Sequence, residues 1–120
     1  MSKFEEFVEG YLDAVVFTEN EEGVLEFDRD DLTDGFVAVA KAECRAFAEA
    51  AWVLLADAVR VEGYDAHQAG IDFWLTRNGH GAGFWDGDLP EALGEELTQL
   101  AHGFSMKEIY EGDDEEIYFY

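Results

Sequence analysis

Apolar residues recur at helical spacing over the first part of the chain. Ser2-Lys3-Phe4-Glu5 fits a capping box, and apolar side chains then follow three and four residues apart. They are Phe4, Phe7, Val8, Tyr11, Leu12 and Val15. This spacing predicts a first helix over residues 3–17. Residues 18–34 contain the turn formers Asn20 and Gly23 and at most a short strand over 24–27, so a loop is expected there.

A second helical pattern begins at Thr33 or Asp34 and continues to Gly63, a residue type that commonly follows a helix end. Its apolar positions are Phe36, Ala40, Cys44, Phe47, Ala51, Leu54 and Ala58. A straight helix of roughly 30 residues is about 45 Å long, whereas a domain of this size is about 35 Å across. We therefore expect a kink, a break or an overhang in its second half.

Two runs of apolar and aromatic residues within 71–86 flank Asn78-Gly79. That dipeptide tolerates the positive φ angles of a two-residue type I′ turn, so the segment is predicted to form a β-hairpin. Asp65 is expected to cap a short helical turn before it. One face of the hairpin would belong to the core, and the other would place indoles across the glycines of the partner strand. The core face comprises Ile71, Phe73, Leu75, Ala82 and Phe84, and the indole face includes Trp74 and Trp85.

The remaining pattern predicts a third long helix and a second hairpin. Asp88 and Pro90 indicate a helix start, Gly103 its end, and an apolar stripe its buried face. The stripe is Leu89, Leu93, Leu97, Leu100 and Ala101. Residues 106–111 and 116–120 are typical of two strands around a Gly-Asp-Asp-Glu turn. Together these elements predict an α+β domain, with three main helices packed on a small antiparallel sheet built from two β-hairpins.

Length and composition indicate one globular domain. The 120 residues are 48% apolar and 15% aromatic, enough to bury a core without disulfides despite a formal net charge of -22. The apolar runs are shorter than the roughly 20 residues that cross a bilayer, and the N-terminus is acidic. We therefore expect a soluble, cytoplasmic protein. The single cysteine, Cys44, lies in an alanine-rich helical pattern, where a buried thiol is expected.

The charge is distributed unevenly along the chain. Residues 5–34 hold 12 acids and one base, 86–116 hold 11 acids and one base, and 35–85 hold 6 acids and 4 bases. Two acidic flanks thus bracket a nearly neutral centre. Such a field repels nucleic acid and anionic membranes and attracts basic surfaces. The expected partner is therefore a protein with a basic surface, and neither nucleic acid nor a membrane.

The string AGIDFWLTRNGHGAGFWDGDL, from Ala69 to Leu89, resembles a signature of small uncharacterised proteins encoded by bacteriophages and plasmids. In that family an AGxDFWLTRNGHGAGFWD block is followed by a helix and a terminal strand–GDD–strand segment. Tyr110-Glu111-Gly112-Asp113-Asp114 and Tyr118 keep this ending, so the resemblance covers residues 69–120. The resemblance implies a mobile-element origin, a location in the host cell and a shared fold. It does not indicate an activity.

Candidate chemistry is concentrated at the predicted hairpin tip, where Arg77, Asn78 and His80 lie together with Asp72 and Asp86 at the base. An arginine, a histidine and nearby carboxylates could bind an anion or transfer a proton, as in a small enzyme or an anion-binding module. The structural interpretation is that Arg77 and His80 form a cross-strand pair that docks on a neighbouring acidic element. We favour this structural or partner-contact role and expect no catalytic residue.

Metal and nucleotide signatures are missing from the sequence. His67, His80 and His102 lack the HxxxH and HExxH spacings, and Cys44 stands alone. The GHGAG string lies in a predicted hairpin and not between a strand and a helix, where a phosphate-binding loop is found. We therefore expect no metal and no cofactor.

Rows of acids four residues apart suggest a function for the negative charge. Duplex DNA carries one phosphate charge per about 1.7 Å, so a rigid protein with regularly spaced carboxylates could occupy a DNA-binding cleft. With the mobile-element resemblance, this predicts a non-enzymatic DNA mimic that inhibits a host anti-phage system, by an anti-restriction or anti-CRISPR action. The predicted contacts are Glu5, Glu9 and Asp13 on the first helix and Glu91 and Glu95 on the third. The alternative, that the acidity only adapts the protein to salt or keeps it soluble, stays open at this point.

Overall fold

The computed structural model describes residues 1–21, 26–105 and 107–119 of the chain. Within these ranges it contains five α-helices, a short 3-10 helix and one two-stranded antiparallel sheet. The elements are α1 (Lys3–Glu21), the 3-10 helix (Arg29–Asp31), α2 (Asp34–Ala50), α3 (Trp52–Ala58), α4 (Ala66–Arg77), α5 (Glu91–His102), β1 (Ile109–Glu111) and β2 (Ile117–Phe119). The α+β class is confirmed, but five helices and one hairpin replace the predicted three helices and two hairpins.

Helix α1 begins at the predicted capping box. The backbone N–H of Glu5 donates to Ser2 Oγ (3.0 Å), and the backbone N–H of Ser2 donates to Glu5 Oε1 (3.3 Å). The helix continues to Glu21, past the predicted end at residue 17. Of the short strand predicted over 24–27, residues 24 and 25 lie outside the described residues, and residues 26 and 27 are not part of a strand. Within those ranges, no helix combines the length and apolar character needed to cross a membrane.

The predicted break in the central helix lies at Ala51. Thr33 caps α2 by accepting a hydrogen bond from the backbone N–H of Phe36 (3.1 Å), and α2 ends at Ala50. At Ala51 the backbone leaves helical geometry (φ −112°, ψ 15°) before α3 starts at Trp52. Buried Ala51 and Ala58 continue the apolar face of α2, so the break bends the helix without turning that face away from the core.

The segment predicted as the first hairpin is instead helix α4 followed by an irregular loop. Asp65 accepts a hydrogen bond from the backbone N–H of Gln68 (2.8 Å) and starts a helix that continues through Arg77. Gly79, with φ +68°, ends it in a Schellman motif. In that motif the N–H of Gly79 donates to Thr76 O (3.2 Å) and the N–H of His80 donates to Leu75 O (3.0 Å). The positive φ that suggested a hairpin turn is therefore used at a helix C-terminus.

Helix α4 is buried on most sides, which explains why its sequence was predicted to form a strand. Eight of its twelve residues are buried, among them Asp72, Thr76 and Arg77. A helix without a polar face shows no period of 3.6 residues, which removes the main sequence signal for a helix. The predicted separation of faces is also wrong, because Phe73 and Trp74 are both buried.

Helices α1 and α4 approach closely through a pair of glycines. A Cβ on Gly10 would collide with the carbonyl oxygen of His67, and a Cβ on Gly70 would collide with the carbonyl oxygen of Phe7. Beside this contact the ring of Phe73 stacks on Phe47, with centroids 4.2 Å apart. Phe7, Tyr11, Phe84 and Phe104 complete this aromatic cluster. The core is thus formed between helices and not between helices and a sheet.

The loop after α4 folds back onto that helix and leads into α5. The backbone N–H of Phe84 donates to Thr76 Oγ1 (3.2 Å), and the Phe84 ring is buried. Pro90, and not Asp88, takes the cap position of α5, while Gly103 follows its last residue as predicted. The apolar stripe of α5 is confirmed, with Leu89, Leu97 and Ala101 buried and Leu93 and Leu100 packed against the core.

The C-terminal hairpin is confirmed. β1 and β2 pair antiparallel, with Ile109 opposite Phe119 and Glu111 opposite Ile117. The hairpin attaches to the start of α2, where the N–H and hydroxyl of Thr33 both donate to Ile117 O (3.3 and 3.0 Å). The rings of Phe36 and Phe119 stack 3.8 Å apart. The sheet therefore covers one end of α2 and does not form a layer beneath the helices.

Candidate functional site

Arg77 lies in the last turn of α4 and is buried, with 3% of its surface exposed. Its guanidinium bonds to Glu43 Oε2 on α2 (3.1 Å), to Ser105 O (2.6 Å) and to Tyr11 OH on α1 (3.3 Å). The prediction of a hairpin-tip residue paired across strands with His80 is wrong, because Arg77 lies at the end of a helix and forms an ion pair with Glu43 of α2. The side chain joins three parts of the fold.

Asn78 and His80 also have structural contacts at the end of α4. The amide of Asn78 donates to Trp74 O (3.1 Å), and its Oδ1 accepts from the backbone N–H of Lys107 (2.8 Å). The His80 ring lies 6.5 Å from the Trp74 ring, centroid to centroid. Arg77 and Asn78 thus hold the C-terminus of α4 against the segment that precedes β1, through Ser105 and Lys107.

The acid row on α1 is partly neutralised within the chain. One guanidinium nitrogen of Arg29 lies 2.8 Å from both Glu9 Oε2 and Asp13 Oδ1. Asp13 Oδ2 also lies 2.9 Å from His67 Nε2 on α4. Glu5 is exposed and caps its own helix through Ser2. Of the three predicted contacts on α1, two are therefore committed to an internal ion-pair network that sequence spacing did not reveal.

The two acids predicted on α5 line a cleft. Glu91 and Glu95 are exposed, one helical turn apart, and face the loop that carries Trp85. The cleft has a volume of about 670 Å³. Trp85 exposes 51% of its surface, in contrast to the buried Trp74. Gly94 permits this arrangement, since a Cβ there would collide with the carbonyl oxygen of Phe84. The cleft thus combines an accessible indole with two carboxylates on a rigid helix.

A buried carboxyl lies within the block that carries the resemblance. Asp72 is 1% exposed, accepts a hydrogen bond from Tyr64 OH (2.7 Å) and another from Gln68 Nε2 (3.2 Å). The pKa of Asp72 is raised to about 6: burial raises it most, the hydrogen bonds from Tyr64 and Gln68 lower it, and the carboxylates of Asp86 and Asp88 raise it. Asp72 therefore couples folding to pH.

We expect Asp72→Asn to stabilise the protein at neutral pH. The folded state binds the Asp72 proton more tightly than the unfolded state, so the parent loses stability as pH rises from about 4 through about 6. The rise in the Asp72 pKa from its ordinary value of 3.8 to about 6 corresponds to a loss of at most about 3 kcal/mol in the free energy of unfolding at high pH. Urea unfolding from pH 4 to pH 8 should show an advantage of the variant that grows with pH. Exposed Asp113→Asn is the control, and an Asp72→Asn advantage that is the same at both pH limits would contradict the assignment.

The other metal-ligating and nucleophilic side chains in the described part of the chain form no further candidate site. There, no three His, Cys, Asp or Glu side chains lie close enough together to hold a metal ion. Cys44 is buried, as predicted, and burial raises the pKa of its thiol. The exposed cleft on α5 is therefore the candidate binding site.

Sequence reasoning named two of the nine residues that line this cleft as partner contacts. Glu91 and Glu95 follow from the acid spacing, whereas Trp85 was assigned to a hairpin face that does not exist. A usable signal was Gly94, because a glycine within a helix frequently marks a close contact with another backbone. The neutralising role of Arg29 had no local signal, since its partners lie 20 and 16 residues away.

The block from Ala69 to Leu89 has structural roles along most of its length. Gly70 allows α1 and α4 to approach, Arg77 joins three elements, and Gly79 ends α4. Trp85 is the member of the block that faces solvent at the cleft. No protein-family model, curated protein or solved structure matches the chain.

Proposed function

We propose that the protein is a non-enzymatic interaction protein that binds the basic surface of a DNA-binding protein, and that it competes there with DNA. The observation that carries this proposal is the cleft in which exposed Trp85 faces Glu91 and Glu95. A host defence enzyme of the restriction or CRISPR type is the partner class that the mobile-element resemblance suggests.

The chemistry of the cleft suits arginine and lysine side chains. A guanidinium can stack on an exposed indole, a contact worth about 0.5–1 kcal/mol, and can donate to a carboxylate at the same time. The two carboxylates are separated by four residues, or about 6 Å along the helix, which is close to two phosphate steps of about 3.4 Å on one DNA strand. DNA-binding surfaces present arginine and lysine to phosphates, so the same side chains fit this cleft.

The internal ion pairs change which acids we assign to the contact. Arg29 partly neutralises Glu9 and Asp13, whereas Glu91 and Glu95 are exposed on a helix held by its buried stripe. We therefore assign the main contact to α5 and leave Glu5 on α1 as a peripheral acid.

The test is displacement of labelled duplex DNA from purified restriction and CRISPR effector proteins of the host, followed by fluorescence anisotropy. The parent protein should release the DNA, and Glu91→Gln with Glu95→Gln should weaken release about tenfold, an effect of about 1.4 kcal/mol. Trp85→Ala should weaken it as well, without a change of charge.

The matched control is Glu62→Gln with Glu108→Gln, which removes two exposed acids elsewhere on the surface. This control should leave DNA release within a factor of about two of the parent, because exposed charges away from a contact act mainly through a screened field. Equal weakening by both double variants, or no release by the parent, would contradict the proposal and favour acidity as a solubility or salt adaptation.

A further inference from the structure

A groove opens between the start of α1, the end of α2, α3 and the start of α4. Its volume is about 420 Å³, within the range of about 300–1,000 Å³ that is typical of small-ligand sites. Nine of its eleven lining residues are apolar, and the other two are Lys3 and Arg60. None of the eleven lines the cleft on α5, so the groove is a separate site.

Small side chains keep the groove open. Phe7, Ala66 and Ala69, all buried, form its floor where α1 meets α4. Ala48 of α2 also lines it. A methyl group at these positions leaves space that a larger side chain would occupy. Water in contact with such apolar walls is released when a hydrocarbon takes its place, which favours binding of an apolar ligand.

The walls and the rim of the groove are aromatic and aliphatic. Phe4, Leu55 and Val59 are half-buried and line it. Trp52 also belongs to the lining and exposes 69% of its surface. Because an indole is highly buried in most proteins, this exposure is unusual, and a ligand in the groove would cover part of it.

Both charged residues of the lining are cations, although the chain has 29 acids and 7 lysines and arginines. Lys3 begins α1 and Arg60 follows α3, and both are exposed. Within the described residues no acid lines the groove. Residues 3–7 and 48–69 contribute the lining, and their acids all lie outside it: Glu5, Glu6, Glu49, Asp57, Glu62 and Asp65.

The acid that approaches Arg60 does not occupy its donors. Asp57 Oδ1 lies 3.9 Å from one guanidinium nitrogen of Arg60, which is beyond hydrogen-bond distance. Glu5 is bonded to Ser2, and Asp65 caps α4. At physiological ionic strength the field of more distant acids is screened over about 8 Å, so a ligand in contact with the two cations experiences mainly their charge.

We propose that the groove binds a free medium-chain fatty acid, with its hydrocarbon tail against the apolar walls and its carboxylate on Lys3 and Arg60 at the rim. The apolar lining suits a hydrocarbon, and ammonium and guanidinium groups form their strongest hydrogen bonds with carboxylates. A neutral ligand would leave both cations without a partner, and a cationic one would be repelled. The proposal does not depend on the proposed function, because the two sites share no lining residue.

Isothermal titration calorimetry with sodium decanoate tests the ligand class. The titration uses the full chain in about 0.15 M NaCl, with decanoate below its micelle concentration. One decanoate should bind per chain, and each methylene removed from the ligand, down to hexanoate, should weaken binding about fourfold. The absence of saturable binding, or an affinity that does not depend on tail length, would overturn the proposal.

The indole N–H signals in NMR spectra locate the bound decanoate. The chain has three tryptophans, of which Trp52 lines the groove, Trp74 is buried and Trp85 lines the cleft on α5. Decanoate should shift the Trp52 signal and leave that of Trp85 in place. A shift of Trp85 without a shift of Trp52 would place the ligand in the other cleft and overturn the assignment.

Ala48→Leu fills the groove without a change of charge and should weaken decanoate binding about tenfold. Ala42→Leu, at an exposed position of the same helix, is the control and should bind as the parent does. Thermal melts verify that both variants are folded. If Ala48→Leu does not fold, Ala56→Leu blocks the groove from an exposed position of α3. Unchanged binding by a folded, filled variant would contradict the site.

Lys3→Gln with Arg60→Gln tests the recognition of the carboxylate. This double variant should bind decanoate about tenfold more weakly than the parent and should bind decanol equally well. Lys41→Gln removes an exposed cation that does not line the groove and should change decanoate binding by less than a factor of about two. Parent protein that binds decanol as tightly as decanoate would overturn the role of the two cations.

Discussion

Gly70→Ala is expected to destabilise the protein by about 3 kcal/mol or more, the upper range for over-packed sites. A Cβ at this position would collide with the carbonyl oxygen of Phe7, and the backbone nitrogen of Tyr11 lies only 2.9 Å away. Neither group is the end of a flexible side chain, so α1 and α4 would have to separate. Separation would also loosen the packing of the Phe73 ring against Tyr11. Urea unfolding should show a large fall in the transition midpoint.

Gly35→Ala is the matched control for this prediction. Gly35 lies in the first turn of α2, and nothing lies within 4 Å of the Cβ that it would gain. Alanine favours the helix over glycine by up to about 1 kcal/mol, so this variant should be as stable as the parent or more stable. A Gly70→Ala variant that unfolds at the same urea concentration as Gly35→Ala would refute the close approach of α1 and α4.

Arg77→Met is expected to destabilise the protein by about 3 kcal/mol, because removal of one partner of a buried ion pair leaves the other uncompensated. The variant keeps the length of the side chain but removes the donors to Glu43, Ser105 and Tyr11. Among the described residues, Glu43 would then keep the ion pair with Lys107, whose ammonium lies 3.4 Å from Oε1. Thermal and urea unfolding measure the loss.

A second substitution separates the ion pair from the rest of the Arg77 contacts. Glu43→Met in the Arg77→Met background should recover part of the stability, because it removes the unpaired carboxylate. Lys41→Met, at an exposed position of the same helix, is the control and should change stability by less than about 0.5 kcal/mol. Unchanged stability of Arg77→Met would make this arginine a candidate binding residue again.

Local signals were sufficient for the starts of α1, α2 and α4 and for one hairpin. The capping box at Ser2 and the caps at Thr33 and Asp65 involve residues three positions apart, so the sequence contains the whole interaction. The hairpin formed by β1 and β2 also follows from a short turn between two apolar runs. The length of the central pattern likewise predicted a kink, a break or an overhang, because a straight helix of that length exceeds the expected diameter of a domain this size, and the structure has a break at Ala51.

Helix α4 shows where local signals failed. Its sequence alternates as a strand does, and Asn78-Gly79 offers the same positive φ to a hairpin turn and to a Schellman motif. The choice between them depends on burial by other elements. Once α1 contacts α4 through Gly10 and Gly70, the helix needs no polar face, and the period that identifies helices in sequences disappears.

The sequence by itself determined the α+β class, the caps at Ser2, Thr33 and Asp65, the C-terminal hairpin and the strongly negative charge, because each depends on composition or on residues close together in the chain. Only the tertiary structure decided which charged side chains are paired within the fold and which are free to contact a partner. Arg29 reaches Glu9 and Asp13 across the fold, and Arg77 reaches Glu43, whereas the acids of α5 remain exposed beside Trp85. The spacing of residues along one helix predicts where its own side chains lie. Ion pairs between residues far apart in the chain depend on how the helices pack.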